Sequence, residues 1–455
     1  MSSEGLVAPL ACPDSWRRIR LKDASRKIGS GATPTGGQKA YLERRTNYAL
    51  VRSQNVFDRA FSENGLAFIS DEQAEGLRNV RLEKNDLLLN ITGDGVTFGR
   101  VCLVPESILP ACVNQHVSII RLDQKQAIPG YVLSYLTHPA VKSYVEAFNA
   151  GGSRRAITKG HIESFVVPLP PLAIQNEIAE ISGAMDARIA LLRETNTTLE
   201  AIAQTLFKSW FIDFDPVHTK QEGREPEGMD ATTAALFPDG FEESELGFLP
   251  SGWHTSPLSE CCDYLSRGIS PKYVEDGGVA VINQKCIRDF SLDLSKARRH
   301  DHVQRKITGR ELRVGDVLVN STGVGTLGRV AQVLDLAEMA IVDSHVTVVR
   351  AGRSISWAYL GLALMARQPE IQAMGEGSTG QTELSKSKVG QLRLVIPPPT
   401  VLQAFDEVVV PLRRKISLNA LQASSIAELR DALLPRLISG QLRLPDVESR
   451  MDIGK

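Results

Sequence analysis

The stretch Asp316–Val330, DVLVNSTGVGTLGRV, decides how this chain is read. It holds Gly323-x-Gly325-x-x-Gly328, the spacing that cradles a dinucleotide pyrophosphate, behind an apolar run that reads as a strand. Residues 86–101, DLLLNITGDGVTFGRV, repeat it: Asn90 aligns with Asn320, and Gly93 and Gly95 with Gly323 and Gly325. One residue is then lost, so Arg100 aligns with Arg329 and His116 with His345. The first copy spaces its glycines GxGxxxG, so the phosphate-loop pattern is not what the copies share. A dinucleotide loop must also open a helix, whose first N–H groups meet the phosphates. Here RVCLV (100–104) and RVAQV (329–333) follow, rich in β-branched residues. The expectation is a β-hairpin in which glycine supplies the positive φ of the turn, and no nucleotide site.

The duplication extends outward. Asp14-Ser15-Trp16 is echoed by Ser251-Gly252-Trp253, Val51–Val56 by Val281–Cys286, and Pro170-Pro171 by Pro397-Pro398. Each copy runs from a β-rich stretch to a proline pair and then into a helical stretch, where proline's fixed φ suits the first turn. Apolar residues recur every seven after Pro171 (Ile178, Met185, Leu192, Leu199, Leu206). The same phase after Pro398 gives Phe405, Leu412, Asn419, Ile426 and Leu433. Ile181, Ile202, Val408 and Leu429 are read as intermediate positions. Sustained heptads predict a coiled-coil seam, with Asn419 as a register device and Pro411 as a kink or a late start. A helix of about 38 residues at ~1.5 Å each is a rod of roughly 57 Å. The expected fold class is α+β: two β-rich domains in tandem, each followed by a long helix. The two helices pair as an antiparallel coiled coil with pseudo-two-fold symmetry near Leu192 and Asn419. Boundaries follow: a first domain over 1–168, its helix over 169–213, a connector over 214–250, a second domain over 251–396, its helix over 397–438, and a tail over 439–455. The connector, rich in Gly, Pro, Glu and Asp, reads as a linker, part of which docks on a rod or a partner.

Composition bounds the function. The 455 residues are 42% hydrophobic and 23% charged with a net charge of −1, which fits a globular protein with real cores and not an indiscriminate polyanion binder. The six cysteines form no CxxC pair, so neither a disulfide framework nor a zinc site is expected. The start, MSSEG, lacks the pattern of a secretion signal, and no apolar run approaches the ~18–20 residues of a membrane helix. A cytoplasmic protein without a membrane partner is expected.

No catalytic constellation is found: no GxxxxGK[ST], HExxH or GxSxG, and no Asn-Pro-Pro-Tyr loop at the proline pairs. His300-x-His302 lies in a basic run without supporting ligands, so no metal is expected. Asp213 and Asp215, around Phe214, read as the close of the first rod. What recurs in both copies is basic and amide-bearing chemistry. The first copy offers Arg44, Arg45, Arg52, Gln54, Asn55, Arg154, Arg155, Lys159 and His161. The second offers Lys272, Asn283, Gln284, Lys285, Arg288, Arg298, Arg299, Arg305, Lys306, Lys386 and Lys388. Arg and Lys bind phosphates or read guanine, and Asn and Gln read adenine, so these are the candidate DNA contacts.

LPPLAIQNEIAEI (169–181), LFKSWFIDFDPV (206–217), EGREPEGMDATTAALFPDGFEESELG (222–247) and LLPRLISGQL (433–442) resemble the specificity subunit of type I restriction–modification systems, and the resemblance covers essentially the whole chain. It implies a subunit that catalyses nothing itself. Each target-recognition domain would read one half of a split, asymmetric site in double-stranded DNA. The helices would act as spacer and as dock for two methyltransferase subunits, which two restriction motor-nuclease subunits can join. It also implies that this chain binds no cofactor, since S-adenosylmethionine, ATP and Mg belong to the partner subunits. A helical scaffold without direct DNA readout is the alternative.

Overall fold

The computed structural model describes residues 8–93, 97–147, 155–245, 247–375 and 383–442, with the Arg155 side chain excepted. They fall into two compact units, one within residues 1–192 and 422–455, the other within 193–421.

In the first unit the apolar run Leu87–Asn90 is the inner strand of a four-stranded sheet, ordered 25–30, 117–122, 87–90, 101–103, with antiparallel pairing throughout. Successive side chains of a strand point to opposite faces, and here both faces are covered. Leu87 and Leu89 enter a core with Val101, Tyr131 and Tyr135, while Leu88 enters a second core with Leu50, Cys102 and Ile119. That is why the run is continuously apolar and does not alternate. A three-stranded sheet (111–113, 48–51, 67–69) backs the second core and contains the parallel pair Ala111↔Ala49.

The second unit repeats the design. Val317–Asn320 is the inner strand of the sheet ordered 262–267, 346–351, 317–320, 330–332. Val317 and Val319 face one core, and Leu318 the other. Val317 pairs with Gln332 across the glycine loop, so the opening stretch is a β-hairpin as its sequence predicts. Gly323, Gly325 and Gly328 have φ of 110°, 71° and 74°, the left-handed region open to glycine. An ion pair on a buried aspartate is also built twice: Arg121 donates two 2.8 Å bonds to Asp86, and Arg350 donates bonds of 2.6 and 2.7 Å to Asp316. A second sheet of this unit pairs strands 279–282 and 340–342 in parallel, Ala280↔Ala340 to Ile282↔Val342, and corrects one detail of the alignment. Val51 corresponds to Ile282, not Val281, and therefore Gln54 to Lys285, not Gln284.

Two helices of 40 residues each, Leu172–Phe211 and Pro399–Ile438, follow the two sheet regions. Pro399 opens the second at the position where its missing N–H is not needed, and the helix runs on through the exposed Pro411. Each unit contains a piece of both helices, running antiparallel. In the first, Ile189 and Leu192 cluster with Ala423, Ile426 and Ala427, and Arg430 meets Asp186 at 2.6 Å. In the second, Asn419 Nδ2 donates to Asn196 Oδ1 at 2.9 Å, and Asn196 Nδ2 to the Ile416 carbonyl at 2.9 Å. The ten heptad residues are all buried or half-buried. The intermediate row is not the expected one: Ile202, Val408 and Leu429 are exposed and Ile181 half-buried. The inward row lies one residue later, at Ser182, Ile189, Asn196, Ala203 and Trp210, and at Val409, Ile416, Ala423, Arg430 and Leu437. Spacings of four and three then alternate without a break.

Each sheet region is tied to its helices by a charged contact. In the first unit Arg59 bonds Asp186 at 2.8 Å, Thr137 at 3.0 Å and Ser134 at 3.3 Å. In the second, Arg413, 1% exposed, bonds Gln332 Oε1 at 2.6 Å and Glu200. Burial lowers the Arg413 pKa more than Glu200 raises it. Residues 216–250 are not a free linker: Val217 and Phe237 join Trp210, Trp253 and Phe405 in the second unit's core, and 241–244 pairs with 247–250. The first long helix closes at Phe211, and Phe214, with φ 54°, starts a short helix over Asp215–Gln221. Among the described residues no helix is long and apolar enough to cross a membrane.

Candidate nucleic-acid interface

At one end of each four-stranded sheet, three segments converge. In the first unit they are the turn 53–55, the glycine loop after Asn90, and the turn 114–116. Asn90 Nδ2 donates to the carbonyls of Ser53 (2.9 Å) and Thr97 (3.0 Å), binding the loop to the first turn. The Ile91 amide donates to the His116 carbonyl at 3.0 Å, and Thr92 Oγ1 lies 2.7 Å from His116 Nδ1. The second unit repeats each link. Asn320 Nδ2 donates to the Gln284 carbonyl at 3.1 Å, the Ser321 amide to the His345 carbonyl at 2.8 Å, and Thr322 Oγ1 lies 2.7 Å from His345 Nδ1. The histidine turns are capped alike: the His116 amide donates to Asn114 Oδ1 at 3.1 Å and the His345 amide to Asp343 Oδ1 at 2.9 Å. Burial raises the Asp343 pKa, opposed by the His345 amide bond and the charges of His345 and Arg298. Gly31 and Gly268 let the backbone close behind these turns, since a Cβ there would sit 2.1 Å from the carbonyl oxygens of Val113 and Val342.

On this shared framework the side chains differ. The first turn carries Arg52, Ser53 and Gln54 where the second carries Asn283, Gln284 and Lys285. Gln54 is exposed and donates to the Gly65 carbonyl at 3.1 Å, and Arg52 lies over the Tyr41 ring. Lys285 is exposed, and Gln284 Oε1 accepts from Thr322 at 3.4 Å. Beside the second turn the exposed Arg298 lies 3.3 Å over the Tyr273 ring.

The remaining candidates divide. Arg44, Lys159, Lys272, Arg288, Lys306 and Lys386 are exposed. Lys159 lies 3.5 Å from Glu163, and Arg288 3.4 Å from Asp289. Others serve the fold. Asn55 is fully buried, accepting from the Arg52 amide and donating to the Ser62 and Asn64 carbonyls. Asn283 is buried, held by the Lys285 amide and the Lys296 carbonyl. Arg45 donates to the carbonyls of Asn47, Ser107, Ile108 and Leu109. Arg299 is spent on Gly277 and Glu338, and Arg305 donates to the Ser270 carbonyl. His161 completes a capping box with Thr158, and Lys388 reaches the Met374 carbonyl at 3.4 Å. His300 of the His-x-His pair is buried, its ring held by Lys272 and by the Arg305 carbonyl. Arg154 and the Arg155 side chain lie outside the described residues. His116 and His345 were not among the sequence candidates, although the repeat alignment pairs them.

Residues 13–201 match the family described as the type I restriction modification DNA specificity domain. The chain is 23% identical to the type I restriction enzyme HindI specificity subunit of Haemophilus influenzae, over 94% of this chain and 99% of that one. It is 22% identical to the MjaIX specificity subunit of Methanocaldococcus jannaschii, over 96% and 95% of the two. It is 26% identical to the EcoBI specificity subunit of Escherichia coli, over 77% and 67%. Its fold is similar to the crystal structure of a type I restriction–modification S subunit from M. genitalium, with a TM-score of 0.58 at 13% identity, covering 95% and 99% of the two chains. In sequence the chain is thus similar to specificity subunits of type I restriction–modification systems, and in fold to the S subunit of one such system.

Proposed function

We propose that this chain is the DNA sequence-recognition subunit of a type I restriction–modification complex. Each sheet region, within residues 1–168 and 251–396, reads one half of a bipartite, asymmetric site in double-stranded DNA. The observation that carries this reading is one framework built twice with different side chains on it: Arg52-Ser53-Gln54 against Asn283-Gln284-Lys285. Base readout depends on which donors and acceptors meet the base edges, so two unlike turns on one scaffold suit two unlike half-sites. Exposed Arg44, Gln54, Lys285, Arg288, Arg298 and Lys306 are the contacts this reading favours, with Lys159, Lys272 and Lys386 as further phosphate contacts. The residues that cap turns and clamp loops shape the surface without touching DNA.

In the same proposal the chain is not itself catalytic and works in the cytoplasm. The helices over 169–213 and 397–438 fix the spacing between half-sites and dock two methyltransferase subunits, with restriction motor-nuclease subunits joining them. S-adenosylmethionine, ATP and Mg act on those partners. The test is a domain exchange: residues 1–168 are replaced by those of another specificity subunit, and methylated sites are mapped in host DNA. One half-site changes while the other half and the spacer stay. A change in both halves refutes the division of labour.

A further inference from the structure

Between the two units the reading turns differ and the Thr–His pair does not. Thr92 meets His116, and Thr322 meets His345, at the same 2.7 Å from Oγ1 to Nδ1. The loop before each pair is held by the same asparagine, and the turn beside it by the same kind of cap. We propose that these two pairs are one sequence-independent contact to the DNA sugar–phosphate backbone, built once into each domain, with the imidazole Nε2–H donating to a phosphate oxygen. This rests on the recognition reading above and adds to it a division of work. Side chains that differ between the domains read bases, and those that coincide hold what both half-sites have in common.

The chemistry suits the task. A threonine hydroxyl both donates and accepts, so it holds the ring by Nδ1 in either tautomer. When it donates to Nδ1 the proton sits on Nε2, the form able to donate outward. His345 is exposed and His116 half-buried, both beside glycine loops that let backbone come close to a ligand. At the tip of the second loop Val324 is 90% exposed between Gly323 and Gly325. The first unit adds Gln115, whose Nε2 lies 3.2 Å from His116 Nε2, where the second unit has Ser344. The Thr33 hydroxyl donates to the Gln115 oxygen, so in this unit a phosphate takes the place of the Gln115 amide at Nε2. Backbone contacts set register on the duplex and carry no sequence information, as a shared feature of two unlike heads must.

The experiment uses the full chain assembled with its methyltransferase subunits and a duplex carrying its mapped site. Single phosphates are replaced in turn by uncharged methylphosphonates, and binding is measured for wild type, His116→Ala, His345→Ala and Thr322→Val. Wild type should be sensitive at one phosphate facing each pair. His345→Ala should weaken binding by about tenfold, in line with a hydrogen bond to a charged group. It should also erase the sensitivity in its own half-site while leaving the other half and every base preference unchanged. His116→Ala should mirror it, and Thr322→Val should give a smaller loss at the same phosphate. A methylphosphonate profile identical in wild type and variants would overturn the proposal, leaving the pairs as loop braces. A changed base preference at one position would overturn it in favour of base readout. An assembly with no site preference in wild type would instead refute the recognition reading, and this one with it.

Discussion

Arg413 is the sharpest point at which to test how the second unit is held together. Its side chain is 1% exposed, bonded to Gln332 Oε1 at 2.6 Å and to Glu200, whose side chain is 25% exposed. Removing one partner of a buried ion pair costs about 3–5 kcal/mol, because the other charge is stranded. Glu200 keeps a route to water, so Arg413→Ala should cost about 3 kcal/mol, at the lower end of that range. Arg413→Met refills the space and leaves chiefly Gln332 Oε1 unsatisfied, so it should cost less, about 1–2 kcal/mol. The assay is urea unfolding followed by tryptophan fluorescence, since Trp210, Trp253 and Trp357 all lie in the second unit, two of them in its core. With a slope of about 3 kcal/mol per molar, the alanine variant's midpoint should fall by roughly 1 M. A midpoint within about 0.3 M of wild type would refute the reasoning, as would full rescue by Arg413→Lys, whose single ammonium lacks the guanidinium fork.

Tyr131→Phe removes the 2.6 Å bond to the buried Pro168 carbonyl and should destabilise the first unit by about 1–3 kcal/mol, measured by thermal unfolding. Ala203→Leu should cost about 1–3 kcal/mol by overpacking a fully buried seam position. Its exposed neighbour supplies the control, and Ile202→Gln should change the unfolding free energy by no more than about 0.5 kcal/mol; the reverse order would restore the row read from hydrophobicity. Burial raises the Asp406 pKa above the ordinary carboxylate value, against the Ser356 bond that lowers it. The folded state therefore holds its proton longer, and wild type loses stability as pH rises from the unfolded value through the folded one. Asp406→Asn should flatten that part of the profile and unfold no earlier than wild type at neutral pH; an unchanged slope counts against it.

The doubled hairpin, the proline-led helices and the first heptad row were legible because each rests on a local rule: turn geometry, fixed φ, or a seven-residue period. The inward row was not legible, because Ser182, Asn196 and Arg430 carry polar groups and Ala203 and Ala423 little apolar surface. The isoleucine and leucine beside them draw the eye to the wrong face. Residues 216–250 read as a linker with part of it docked, and a few apolar residues, Val217 and Phe237 among them, suffice to dock this polar stretch on Trp210 and Phe405 of the long helices. Charge alone also does not tell which basic side chains are engaged within the fold. Arg45 looks like a phosphate contact until four backbone carbonyls are seen around it. His116 and His345 were visible as an aligned pair, but nothing in a linear sequence brings a threonine 23 or 24 residues upstream against the ring.

The first unit takes Leu434, Leu437 and Ile438 into the same core as Leu87 and Tyr131. Those side chains emerge from the ribosome hundreds of residues after the sheet they complete, so the earlier half must wait, its apolar floor open, while the later half is made. Loop closure over such a span is slow relative to local folding. A nascent chain halted before the second long helix would thus carry a first head whose core lacks these three side chains, with the apolar surface they cover left open to water.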